Sequence, residues 1–141
     1  MAWTTAALIG IWLGLAGVPA LAQQVLVRID ISDQKMHVTR DGLLLHVWSV
    51  STARPGKVTP LGTYQPQTLV RFHRSTIYDG AAMPWSIFFR GNYAIHGTTQ
   101  ISRLGQPASA GCVRLHPDNA ERLYEMVRVV GKADVVIEIV E

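Results

Sequence analysis

The chain is poor in cysteine: its 141 residues hold one, Cys112. A single cysteine excludes an intramolecular disulfide, and with no C-x-x-C pair it excludes the usual thiolate metal knuckles and dithiol redox motifs. Charge is sparse as well, and the first 22 residues, MAWTTAALIGIWLGLAGVPALA, carry none. No run of Lys and Arg interleaved with aromatics occurs, so nucleic acid is not an expected partner. Internal repeats and low-complexity tracts are absent too, which excludes a solenoid.

What the first 22 residues do contain is an apolar run through Ile9, Ile11, Leu13 and Leu15, ending in Ala20-Leu21-Ala22. A small-x-small ending of this kind is what signal peptidase cleaves. The expectation is a signal peptide over 1–22 and a mature chain starting at Gln23, exported to the periplasm of a Gram-negative type of envelope, with no stable membrane span after cleavage. A retained anchor is the other reading, since about 20 apolar residues can span a bilayer. Residues 23–141 make one domain. All 13 Lys and Arg and all 10 Asp and Glu lie there, for a net charge of +3. That balance suits an anionic partner such as a wall polymer, or an ordinary solvated surface.

Period-2 patterning dominates the mature chain. QVLVRIDI (24–31), KMHVTR (35–40) and LLLHVWSV (43–50) read as strands, the last two joined by an Asp41-Gly42 hairpin turn. The loop 51–62 has two prolines and two glycines, and TYQPQTLVRF (63–72) reads as a further strand. Residues 71–84 show no sustained period and read as a long loop, of the kind that tends to be functional. SIFF and NYAIH follow as short buried strands. One helix is expected over Pro117 to Val129, with Ala120, Leu123, Tyr124 and Val127 at helical spacing, Pro at the first position and Gly131 past the end. DVVIEIV closes the chain as a strand. The fold class is therefore mostly β, a sandwich with one main α-helix near the C-terminus.

The lone thiol stands in SAGCVRL, 16 positions after His96 in NYAIHG. Cysteine-dependent acyl transfer needs a thiolate, an imidazole to take its proton and donors for the oxyanion. Gly111 lets the backbone approach a carbonyl closely, and the Gly111 and Cys112 N–H groups are candidate oxyanion donors. If Val113 and Leu115 face the core, Cys112 and Arg114 face the other way. From the residues alone, a nucleophilic Cys–His pair and an inert, small apolar Cys both stay open. A zinc site through Cys112, His96 and His116 is the weaker third reading, because the spacing is not that of a ligand set.

His96-Gly97-Thr98 followed by Ser109-Ala110-Gly111-Cys112-Val113-Arg114-Leu115 resembles the signature of the L,D-transpeptidase family with the YkuD-type catalytic domain. IDISDQKMHV, Val50-Ser51-Thr52, Thr59-Pro60-Leu61-Gly62-Thr63, Ala82-Met83-Pro84 and Asn119 to Tyr124 extend the similarity over the mature chain. The resemblance implies a β-sandwich of mixed sheets over 23–141 and cleavage of peptidoglycan stem peptides, with no cofactor or metal. It implies Cys112 as nucleophile and His96 as general base. Gly97 would hold the imidazole through its carbonyl, Ser109 would brace the Cys loop, and Arg114 would meet a substrate carboxylate or steady the loop. The family has His where this chain has Ala110, so His96 is the one matching base.

The remaining histidines invite plainer readings. His37 and His46 read as surface or core-edge residues of the first strands, His73 as a solvated loop position rather than a groove residue, and His116 as the start of the helix. Trp85 and Tyr93 read as sheet core. The function expected is an L,D-transpeptidase that forms an acyl-enzyme on Cys112, releases terminal D-Ala and passes the acyl group to an amine, with a wall-attached protein as one candidate acceptor. A hydrolytic L,D-carboxypeptidase and a catalytically weakened wall-binding module of the same fold are the alternatives.

Overall fold

The computed structural model describes residues 24–141, and the expected signal peptide over 1–22 lies outside them. Strands β1 (Val25–Asp30), β2 (Lys35–Arg40) and β3 (Leu43–Ser49) form the expected antiparallel meander. Asp41 and Gly42 turn it with φ of 50° and 81°, the conformation that a two-residue type I′ hairpin requires. The last strand, β9 (Val135–Val140), lies parallel to β1 with Val25 opposite Val135. Alternation buries Val25, Val27 and Ile29 from β1 and Val135, Ile137 and Ile139 from β9 on one face. With β4 (Gly62–Tyr64) on the far side of β9, the sheet order is β3-β2-β1-β9-β4.

The stretch expected to be one strand over 63–72 is two strands in two sheets. Pro66 is buried between β4 and β5 (Thr68–Arg74), and a proline has no N–H to give to a ladder. The chain leaves the first sheet there, and the Gln67 N–H opens the second by donating to Phe88 O at 2.7 Å. The long loop expected over 71–84 is a hairpin: β5 continues to Arg74, and β6 (Ala82–Arg90) is already paired with it at Ala82. Its alternation escaped the sequence reading because Trp85 has φ 57° between the paired Pro84 and Ser86, which interrupts the side-to-side pattern of β6. Then come β7 (Tyr93–Gly97), antiparallel to β6, and β8 (Val113–Leu115), parallel to β7.

The second sheet is thus β5-β6-β7-β8, mixed like the first. Ile87, Phe89, Ile95, Val113 and Leu115 fill the core between the sheets. Each such side chain contributes about 1.5–3 kcal/mol by leaving water. The helix α1 (Pro117–Val130) docks on β6 and β7 through Ala120, Leu123, Tyr124 and Val127. His116 caps it, its Nδ1 accepting the Asp118 N–H at 3.1 Å, and Gly131 ends it. Among the described residues no helix is long and apolar enough to cross a membrane.

Candidate active site

The parallel pairing of β7 with β8 sets His96 beside Arg114. Cys112 directly precedes β8, and alternation gives it and Arg114 the face opposite the buried Val113 and Leu115. That face looks into a cavity of about 680 Å³ lined by both His96 and Cys112. The turn 75–81 between β5 and β6 helps to enclose it, with Ser75 and Tyr78 in its wall.

His96 is 6% exposed, and its Nδ1 lies 2.7 Å from the Gly97 carbonyl oxygen. A carbonyl only accepts, so Nδ1 carries the proton and Nε2 keeps a lone pair. Burial pushes the His96 pKa down from its ordinary 6.5 to about 4; the Gly97 carbonyl pulls it up, and charge on Arg114 and His73 pushes it down further. The imidazole is neutral at physiological pH. Burial likewise pushes the Cys112 thiol up, against the Ala94 backbone and the Arg114 charge, which both favour the thiolate. The resting pair is therefore thiol and neutral imidazole. The thiol donates to the Asn92 carbonyl, 3.7 Å away, rather than to His96.

A set of buried hydroxyls fixes the loop that carries the thiol. Ser109 Oγ donates to the Cys112 carbonyl at 2.6 Å and accepts the Gly111 N–H at 3.0 Å. Thr59 Oγ1 donates to the Gly111 carbonyl at 2.8 Å. Ser109 N–H in turn donates to Thr52 O, and Gln34 Nε2 donates to Thr52 Oγ1 at 2.6 Å, so the first hairpin turn buttresses the site. Gly111 has φ +139°, and a Cβ there would come within 2.7 Å of Tyr93 Cε1 and 2.9 Å of Val58 O. Only glycine fits. One expectation is corrected here: the Gly111 N–H is not a free oxyanion donor, because the Ser109 hydroxyl already occupies it. Among the described residues nothing accepts from the Cys112 N–H.

Residues 24–137 match the L,D-transpeptidase catalytic domain, YkuD. The chain belongs to the L,D-transpeptidase family. Solved structures similar to it include an L,D-transpeptidase from Stackebrandtia nassauensis, with TM-score 0.73 and 25% identity over 84% of this chain and 56% of that one. An L,D-transpeptidase from Mycobacterium smegmatis gives 0.75 and 23%, over 84% and 59%. L,D-transpeptidase 3 from Mycobacterium tuberculosis, in complex with a faropenem-derived adduct, gives 0.73 and 22%, over 84% and 61%. The chain thus spans less than two thirds of these proteins' lengths. None of the curated proteins compared with it matches.

Around this L,D-transpeptidase cavity the remaining expectations divide. The Ser109 hydroxyl bonds within the Cys loop, to the Cys112 carbonyl, and the Gly97 carbonyl bonds to the His96 imidazole. Arg114 donates from Nη1 to Gln100 Oε1 at 3.1 Å, while its backbone exchanges two hydrogen bonds with Ser51. His116 is committed to capping α1, and no group of three or more His, Cys, Asp and Glu among the described residues is placed to hold a metal ion. His73 is not a solvated loop residue: β5 reaches it, it packs edge-on to Phe88 at 5.0 Å, and it lines the cavity. Tyr93 packs against the core and also lines the cavity. Trp85 is half-buried against Tyr124, with the Arg71 guanidinium 5.2 Å from its ring. His37 and His46 stay in the first sheet, His46 stacked on Trp48 at 4.6 Å.

Sequence reasoning gave no role to Thr59, Gln34, Asn92 or Arg54. Thr59 lay in a stretch that resembles the family, so a signal existed, but its partner is 52 positions away and only the fold joins them. Asn92 contributes a backbone carbonyl, which its side chain does not advertise.

Proposed function

We propose that this protein is an exported, cysteine-dependent L,D-transpeptidase of the periplasm that acts on peptidoglycan stem peptides. The observation that carries this reading is the His96–Gly97 hydrogen bond, which leaves Nε2 as a neutral base in the cavity that Cys112 lines. In the proposed reaction the thiol leaves Asn92 and passes its proton to Nε2. The sulfur attacks the carbonyl between the diamino acid and the terminal D-Ala of a tetrapeptide stem. The Cys112 N–H meets the oxyanion. As the C–N bond breaks, the imidazolium returns the proton to the departing amine, and a thioester remains on Cys112. An acceptor amine then attacks, gives its proton to His96 and takes the acyl group, and the thiol is regenerated. The acceptor is a second stem or a wall-attached protein; water in the same place makes the protein an L,D-carboxypeptidase. Proton transfer by a positioned imidazole is worth about 10²–10⁴ in rate.

A second reading, a weakened wall-binding module, draws on Ala110 in the cavity wall and on the thiol's bond to Asn92. One experiment separates the two. The protein is incubated with a carbapenem and, separately, with tetrapeptide stems, and both mixtures are analysed by mass spectrometry; a similar enzyme is known with a faropenem-derived adduct. The enzyme reading expects one adduct per chain, absent in Cys112→Ala, and loss of D-Ala from the stems. Stem binding with neither adduct nor D-Ala release establishes the module instead.

A further inference from the structure

The formal charges lining the cavity are of one sign only. Arg54, Arg90 and Arg114 line it and no Asp or Glu does. Arg114 is turned to a neutral partner, Gln100. The ion pairs between arginine and carboxylate among the described residues, Arg28–Glu138, Arg71–Glu125 and Arg128–Glu125, involve neither Arg114 nor Arg54. Burial pushes the Arg114 pKa down; Cys112 opposes this, and the nearby positive charges of Arg54 and Arg103 push it down further. Guanidiniums gathered without a carboxylate in a partly desolvated wall repel one another, and a bound anion relieves that repulsion.

The backbone of Arg54 is also fixed in place. It opens a turn in which the Lys57 N–H donates to the Arg54 carbonyl at 3.0 Å, with Pro55 second and Gly56 third at φ +85°. That is the type II arrangement, which a proline and a glycine in those positions make rigid. Its own N–H donates to Ser109 O at 2.9 Å, so the turn is bonded to the loop that carries Cys112. The Arg54 backbone is thus tied to the Cys112 loop, and its side chain lines the same cavity.

We propose that Arg54, together with Arg114, forms a carboxylate-binding subsite that selects stems with a free carboxylate on one of the two residues flanking the bond that Cys112 attacks. The inference rests on the transpeptidase reading for its ligand. Two carboxylates stand on those residues: the one on the diamino acid's far centre, at the end of its side chain, and the C-terminal one of the departing D-Ala. Both present the same planar, two-oxygen acceptor to a guanidinium fork.

Binding is measured by calorimetry on Cys112→Ala protein, where no chemistry intervenes, with three synthetic tetrapeptide stems whose diamino acid is diaminopimelate. One has both carboxylates free, one is amidated on diaminopimelate and one is amidated on the C-terminal D-Ala. One of the amides is expected to bind about tenfold more weakly than the free stem, in line with the loss of a charge-assisted hydrogen bond at a part-exposed site. The amide that does so identifies the carboxylate. Arg54→Gln in the same background should remove most of that difference and Arg54→Lys should keep part of it. Equal binding of all three stems, a difference that survives Arg54→Gln, or no binding at all overturns the proposal. Selective binding by a protein whose natural form never releases D-Ala would leave the subsite standing and remove the transpeptidase reading.

Discussion

Ser109 holds Cys112 from behind: one hydroxyl donates to the Cys112 carbonyl at 2.6 Å and accepts the Gly111 N–H at 3.0 Å. Ser109 is fully buried, so water cannot replace either bond. Ser109→Ala leaves a buried N–H without an acceptor, a cost of about 1–3 kcal/mol. Denaturant unfolding should show a loss in that range, and carbapenem acylation of Cys112 should slow on the order of tenfold as the loop relaxes. A variant with unchanged stability and acylation would mean that the hydroxyl is idle.

Gly111→Ala tests the same loop from its other side. The new Cβ meets the Tyr93 ring, which can turn away, and the Val58 carbonyl, which is backbone. The residue must also keep φ +139°, where a side chain is strained by about 1–3 kcal/mol. Acylation of Gly111→Ala is expected to be nearly lost, and adding Tyr93→Ala should not restore it. Full recovery in the double variant would assign the whole effect to the ring.

The two halves of this site differed in how far the sequence revealed them. His96 and Cys112 announced themselves through residue type and glycine neighbours, and the Val113–Leu115 alternation placed the thiol on the open face. The meander, the Asp41-Gly42 turn and α1 with its caps were legible because local rules set them. The hairpin from β5 to β6 was not, since Trp85 at φ 57° breaks the period by which strands are read. Nor was the division of 63–72 between two sheets, since a buried proline between strands marks a break in pairing but not its destination. The fate of the Gly111 N–H was hidden for a different reason. Glycine beside a nucleophile suggests a free donor, and only the structure shows the Ser109 hydroxyl already on it.

Burial of His96 makes both activity and stability depend on pH. The imidazole is protonated only as pH falls to about 4, so acylation should be level through neutrality and decline on the acid side through that value. For stability the sign follows from proton counts. Between pH 6.5 and about 4 the unfolded chain holds the His96 proton and the folded protein does not, so folding weakens as pH falls through this window. The full effect is on the order of 3 kcal/mol. Unfolding curves across mildly acid pH should be steeper in pH for the natural protein than for His96→Gln. Parallel curves for the two proteins would show that His96 titrates with an ordinary pKa.

Ala110, in the cavity wall at the position where the signature this sequence resembles has histidine, decides how much one imidazole can do alone. That second histidine has two conceivable roles, bracing the loop or moving a proton, and they differ in size. A bracing hydrogen bond is worth roughly 0.5–1.5 kcal/mol, on the order of tenfold in rate, whereas general acid–base catalysis contributes about 10²–10⁴. Here the loop is already braced by Ser109 and Thr59, and His96 keeps a lone pair at Nε2. Bracing is therefore redundant, and the natural protein is expected to be active. Ala110→His should change single-turnover acylation by less than about tenfold, while His96→Ala should slow it by at least about 10²-fold. Inactivity of the natural protein, with activity appearing in Ala110→His by several orders of magnitude, would make the missing imidazole catalytic and the weakened binding module the correct reading.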